Sequence, residues 1–142
     1  MIVIPNASKV VLLAIILNKD AAEELDLHVF KNNITPDVDT VLADFTEADF
    51  TGYAAIALDS ANYTIAAPGA GETTPAVASY GLQDFISTAD QASQSHYGYY
   101  VTRRTTGDLL WCETFGDGPY NITNDQDGFR VDPRFSLQTI SA

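Results

Sequence analysis

The stretch Ser95–Phe115 constrains the fold more than any other part of the sequence. Its two halves alternate between bulky and smaller side chains, and a polar segment, Arg103–Asp108, separates them. Alternation of this kind is typical of β-strands, and Gly107 can take the positive φ that a tight turn requires. The pattern therefore predicts a β-hairpin that supplies four large aromatic residues to a core: Tyr97, Tyr99, Trp111 and Phe115.

Short strands separated by turns are predicted along much of the chain. Leu25–Lys31 alternates, which predicts a half-buried strand with Phe30 on the face opposite Leu27. Phe129–Leu137 alternates as well, and Pro133 within it predicts an edge strand or an interruption, because proline cannot donate to a ladder. Further strands are predicted at Tyr53–Leu58, Asn62–Ala66 and Ala76–Ser87 (one strand or two), and loops at Ala67–Pro75 and Gly116–Gly128.

The connections carry weaker signals. Asp20–Glu23 and Thr46–Asp49 have cap-like spacing and each predicts a short turn, helical at Asp20–Glu23, and Ala89–Ser95 is expected to be a polar connection. Short strands at roughly regular spacing favour a mainly β fold, an antiparallel β-sandwich or jelly-roll-like domain. We expect one domain over residues 1–142, with an N-terminal helical arm at 1–24 and the sandwich at 25–142.

The apolar segment Ala7–Leu17 is ambiguous on pattern alone. Its β-branched residues favour a strand, whereas Asn6 or Ser8 can cap a helix and Lys19 suits the end of one. A helix here would be apolar on all sides, so a sheet or a neighbouring subunit would have to cover it. The run is shorter than the roughly 20 residues that span a bilayer, and a single lysine precedes it, so we expect neither a membrane span nor a signal peptide.

The charge of the chain restricts its partners. Seven basic residues against 19 acidic ones give a net charge of −12, which disfavours binding to nucleic acid or to an acidic membrane. The one cysteine, Cys112, excludes an intrachain disulfide, and its place in a strand pattern predicts a packed, unreactive thiol.

Two groups of acidic residues could form a functional site, one a calcium site and the other a pair of carboxylates for acid–base catalysis. The loop from Thr123 to Gly128 resembles a calcium loop, but Thr123 and Arg134 fall where an EF-hand needs ligands, so a backbone turn is favoured. Asp44, Glu47 and Asp49 suggest paired carboxylates, but their polar, turn-like setting favours solvated or capping roles.

The histidines and tyrosines also admit a structural and a functional interpretation. His28 and His96 have no second ligand at zinc spacing, and Ser95 next to His96 would point to the opposite strand face, which argues against a catalytic triad. Tyr97, Tyr99 and Tyr100 suit either core packing, with at least one left outside, or stacking on sugars or bases. Sequons at Asn6, Asn33, Asn62 and Asn121 carry little weight without a secretion signal. We predict no catalytic, cofactor or metal site.

Four segments together resemble a group of small structural proteins of tailed bacteriophages. They are Leu25–Pro36, Phe45–Tyr53, His96–Phe115 and Val131–Leu137, which occur in that order over most of the chain. In that group the opening segment is helical, so the resemblance favours a helix at Ala7–Leu17, and it brings no catalytic residues.

The resemblance implies a virion role without enzymatic activity. Some members of the group are capsid cement (decoration) proteins, so we expect a homotrimer made in the host cytoplasm that binds the major capsid protein on the outer capsid surface. An acidic protein suits the outside of a DNA-filled shell. The alternatives are a tail or baseplate accessory protein, or a receptor- or carbohydrate-binding module that uses exposed tyrosines.

Overall fold

The computed structural model describes residues 1–68 and 75–137, so most of the predicted loop Ala67–Pro75 lies outside the described residues. The fold is mainly β and antiparallel with one short N-terminal helix, which confirms the predicted class. The helix α1 is Asn6–Ile16, and 3₁₀ turns lie at Leu42–Asp44 and Ser60–Asn62. The strands are β1 Leu25–Phe30, β2 Ile56–Leu58, β3 Thr64–Ala66, β4 Ala76–Ser79, β5 Gln83–Ile86, β6 Gln94–His96, β7 Gly98–Arg103, β8 Leu109–Thr114, β9 Tyr120–Ile122, β10 Gly128–Val131 and β11 Arg134–Leu137.

The predicted hairpin forms the centre of the largest described sheet, whose strand order is β2-β1-β7-β8. Val101 lies opposite Trp111, and the register shifts between Val101 and Thr102, next to the turn. Gly107 in that turn has φ 75°, as its place in the sequence predicts. The hairpin prediction is therefore confirmed.

Smaller antiparallel sheets form a second layer with the orders β11-β4-β3, β10-β5 and β6-β9. The predicted strand Phe129–Leu137 is interrupted at Pro133, and its two halves pair with different strands, β5 and β4. Proline therefore acts as the sequence predicts, by ending one ladder so that the chain can join another.

The main core lies between the layers. Tyr99 and Trp111 of the hairpin are 3% and 4% exposed, and Phe115 packs against them from the margin. The second layer contributes Phe85 and Phe129, whose rings stack with centroids 5.6 Å apart. The arrangement is sandwich-like, with the aromatic residues of the hairpin in its interior.

The opposite face of the first sheet is partly covered, and the half-buried prediction for β1 is wrong at Phe30. Phe30 is fully buried in a second cluster with Tyr100, Leu109 and Cys112. The segment after β1 folds back over this face and places Phe45 against Phe30, with ring centroids 5.0 Å apart. Strand alternation cannot reveal this cover, because the covering segment is itself irregular.

The N-terminal segment is a helix that packs against β8. The buried Ser8 hydroxyl donates to the Leu109 carbonyl over 2.6 Å, and Val3 pairs with Cys112 through two backbone hydrogen bonds of 2.8 and 3.0 Å. The helical alternative for Ala7–Leu17 is thereby confirmed within one residue at each end.

Four local predictions are wrong at least in part. Asp20–Glu23 forms no helical turn; instead Asp20 and Glu23 bind the guanidinium of Arg103 at 2.8 and 2.7 Å. The turn predicted at Thr46–Asp49 is absent, and Glu47 pairs with Phe30 in an isolated bridge. The polar connection and the loop before Gly128 contain the short paired strands β6 and β9.

Candidate functional site

The outer face of α1 is apolar and exposed. Val10, Leu13, Ile16 and Leu17 are 69%, 58%, 72% and 64% exposed. Residues three and four apart in a helix are neighbours, so these four side chains form one continuous surface, which we call the α1 surface. Aliphatic side chains clustered in this way on a water-exposed face make a candidate interaction surface.

The inner face of α1 explains why the outer one is left open. Ser8 is 1% exposed, and Val11 and Leu12 pack against the main core. One eleven-residue helix lying on β8 can bury only about half of its circumference, and no described segment covers the other half. The sequence predicts that a sheet or a neighbouring subunit covers this apolar helix. Among the described residues, the sheet covers only one side of it.

A groove of about 210 Å³ runs along one flank of the helix. Pro5 and Val11 form its helix side, and Val41 and Leu42 form the opposite wall. These two wall residues are 48% and 41% exposed, which extends the apolar character beyond the helix. Together, helix and groove present aliphatic groups suited to side chains of another protein, and no charged group of α1 other than Lys9 interrupts the helix face.

The three tyrosines that could stack on a sugar or a base pack mainly in the protein interior. Tyr99 and Tyr100 are 3% and 4% exposed, and Tyr97 is half-buried against the second cluster. The Tyr99 hydroxyl donates to Glu113 over 2.7 Å, and burial raises the pKa of Tyr99 above its usual value. Tyr99 and Tyr100 therefore pack in the interior, and Tyr97 is the one of the three that keeps part of its surface accessible.

The acidic loop before β10 is a backbone turn. The Asp127 carboxylate accepts the backbone N–H groups of Asn124 and Thr123 at 2.7 and 2.9 Å. These hydrogen bonds hold the pKa of Asp127 below its usual range. The carboxylate is therefore directed at its own loop, as the turn interpretation predicts.

The three acidic residues at positions 44, 47 and 49 have separate partners. Asp44 accepts the backbone N–H of Val41 at 2.8 Å, which is a capping role. Asp49 binds the Lys31 ammonium at 2.6 Å, and this contact lowers the pKa of Asp49. Glu47 differs from both, because it faces His28 across 2.8 Å.

The two histidines are in different environments. His96 is fully buried between Phe50 and Phe129, and burial lowers its pKa. Ser95 donates to Asn121 and not to His96, as strand alternation predicts. His28 instead contacts Thr102 through Nε2 at 3.0 Å while Nδ1 meets Glu47.

Sequence reasoning missed this contact because it joins residues 74 positions apart. Only the register of β1 against β7 brings Thr102 beside His28, and no local pattern encodes that register. The α1 surface, in contrast, has a signal in the sequence, namely aliphatic residues spaced by three and four once the segment is taken as a helix.

The thiol of Cys112 is buried, and burial raises its pKa to about 12. The prediction of a packed thiol is confirmed. Over residues 1–68 and 75–137, no three His, Cys, Asp or Glu side chains gather where they can hold a metal ion. No helix in that part of the chain has the length and apolar character to cross a bilayer.

No family model matches the chain, and no curated protein or solved structure matches it.

Proposed function

We propose that this chain is a structural protein of a tailed-phage virion, a capsid cement protein that binds the outer face of the major capsid protein lattice. The observation that carries the proposal is the α1 surface. A protein that acts by binding a shell needs an exposed apolar contact on a rigid support, and α1 is fixed to β8 through Ser8 and Leu109. The resemblance of the four segments to phage structural proteins supplies the biological setting.

Burial of the α1 surface can supply part of the free energy of assembly. Complete burial of an aliphatic side chain contributes about 1.5–3 kcal/mol, and the four side chains of the α1 surface are each more than half exposed. Repeated over many copies on a lattice, even a modest contact per subunit stabilises the assembled shell, because it binds only that state. We further propose that the cement protein is a homotrimer and that α1 contributes to the contacts between its subunits or with the shell.

The charge supports an outer location. A net charge of −12 repels packaged DNA, whereas α1 itself contains no acidic residue. The helix can therefore approach a neighbouring protein without carrying the acidic surface into the contact. The protein would be made in the host cytoplasm and added to the shell there.

Replacing Leu13 by Glu tests the proposal, with Leu82→Glu as the matched control. Both substitutions place a carboxylate at an exposed leucine, but only Leu13→Glu enters the α1 surface. Capsids lacking this protein are mixed with each variant and sedimented. We expect wild type and Leu82→Glu to co-sediment and Leu13→Glu to stay in the supernatant, with light scattering reporting the oligomeric state. Equal co-sedimentation of all three proteins would contradict a role of α1 in shell binding.

A further inference from the structure

A polar cleft lies at the end of the first sheet, on the face opposite the main core. Its volume is about 400 Å³, within the range of small-molecule sites. The walls include Asp26, His28, Glu47, Tyr100, Thr102 and Arg104. None of these residues belongs to the α1 surface, so the cleft needs an explanation of its own.

Three of these side chains form a linear hydrogen-bonded relay. Nδ1 of His28 lies 2.8 Å from Oε1 of Glu47, and Nε2 lies 3.0 Å from Oγ1 of Thr102. With the ring proton on Nδ1 facing the carboxylate, the lone pair on Nε2 accepts the threonine hydroxyl. A hydroxyl, an imidazole and a carboxylate in this order make up the arrangement that activates a nucleophilic oxygen.

The His28 imidazole is oriented by Glu47 and by stacking on Tyr100, and each of these two residues has a further partner of its own. The Tyr53 hydroxyl donates to Glu47 Oε1 at 2.8 Å and fixes the carboxylate. The His28 ring lies parallel to the Tyr100 ring, with centroids 4.8 Å apart, and Phe45 stacks on the other side of Tyr100 at 4.7 Å. Such support restricts the imidazole to the orientation in which Nε2 faces Thr102.

The cleft also contains a donor for a developing negative charge. Arg104 binds Asp26 through Nε and the Leu25 carbonyl through Nη2, while Nη1 makes no hydrogen bond within residues 1–68 and 75–137. The carboxylates of Asp26 and Glu47 in the walls are balanced by the guanidinium groups of Arg103 and Arg104, so the cleft has no excess of either charge and suits a neutral ester.

We propose that Thr102 is a nucleophile that takes an acyl group from a small neutral ester, with His28 as general base and Glu47 as a positioning residue. Oγ1 attacks the carbonyl carbon while Nε2 accepts the hydroxyl proton, and the C=O electron pair moves onto the oxygen. Collapse of this intermediate breaks the ester C–O bond, and the leaving alcohol takes the proton from Nε2. Water, deprotonated by the same base, then attacks the acyl-threonine and releases a carboxylic acid and free Thr102.

The test uses p-nitrophenyl acetate with the full chain. Release of nitrophenolate is followed by absorbance, and the acetylated residue is located by mass spectrometry of peptides. Thr102→Val removes the hydroxyl with little change of shape, and Thr105→Val, in the exposed turn, is the matched control. We expect wild type and Thr105→Val to acquire one acetyl group on Thr102, and Thr102→Ser to keep the activity.

Removal of the base should lower the acetylation rate of Thr102 about 100-fold or more in His28→Gln, the usual contribution of general base catalysis. Glu47→Gln should lower kcat for nitrophenolate release while KM stays unchanged, and Glu47→Asp should restore part of the rate, which a purely structural contact would not do. Circular dichroism establishes that each variant is folded.

Acetylation confined to lysines and the N-terminus would overturn the proposal. So would a folded His28→Gln variant that acetylates Thr102 at the wild-type rate. Either result would mean that these hydrogen bonds only stabilise the packing of β1, β7 and the segment that carries Glu47.

Discussion

Gly98 shows how one residue sets the spacing of the hairpin. It is the first residue of β7, where the backbone passes under Phe30 and beside β8. A Cβ at this position would lie 2.5 Å from Cζ of Phe30 and closer still to the Glu113 carbonyl oxygen. Because one obstacle is backbone, a side-chain rotation cannot relieve the overlap.

Gly98→Ala is therefore expected to lower the free energy of unfolding by about 3 kcal/mol, the upper part of the usual range for overpacking. Gly116→Ala is the matched control, since a Cβ there meets nothing within 4 Å, and it should change stability by less than about 0.5 kcal/mol. Urea denaturation measures both. Equal effects of the two substitutions would show that the close approach at Gly98 is not required.

His96 links stability to pH. Burial lowers its pKa below the ordinary 6.5 in the folded state, so the unfolded chain binds a proton more readily. Stability that is present above pH 6.5 is thus lost as the pH falls, by at most about 1.4 kcal/mol per pH unit for one proton.

His96→Gln should flatten this slope between about pH 7 and 5, as measured by urea denaturation at each pH. The carboxylates whose pKa values are lowered, such as Asp49 and Asp127, act below their ordinary 3.8, so they do not obscure the effect. An unchanged slope in the variant would exclude His96 as its source.

At the scale of elements, the sequence predicted correctly those strands and turns that depend on neighbouring residues. The hairpin and the break at Pro133 follow from alternation and from the missing N–H of proline, and both are found. The strands β6 and β9 are three residues each and carry no alternation long enough to recognise. The cover over Phe30 and the contact of His28 with Thr102 depend on pairing between distant segments, which no local pattern contains.

The attachment of α1 to β8 depends strongly on Ser8. Its hydroxyl is buried and donates to the Leu109 carbonyl over 2.6 Å. Ser8→Ala removes this donor and should lower the free energy of unfolding by about 1–3 kcal/mol, the cost of a lost buried partner. The neighbouring substitution Lys9→Ala, on the exposed side, should have little effect. If thermal unfolding places both variants at the wild-type midpoint, packing rather than this hydrogen bond holds the helix.

For the whole molecule, the distribution of polarity agrees with the proposed role. The aromatic residues that suggested ligand stacking lie in the core, while the apolar residues of α1 lie outside on a firm support. The chain has a net charge of −12, yet α1 contains no acidic residue, which suits the proposed contact with another protein. In our proposal, the β-sandwich is the rigid support that holds α1 at the surface, where the helix contacts another protein.

The copy number of the protein in purified virions tests this account most directly. Quantitative mass spectrometry against the major capsid protein gives the ratio of the two chains in intact particles. A cement protein occupies repeated sites of a symmetric shell, so we predict on the order of hundreds of copies in a fixed ratio to the capsid protein. A handful of copies per particle, or none, would contradict it.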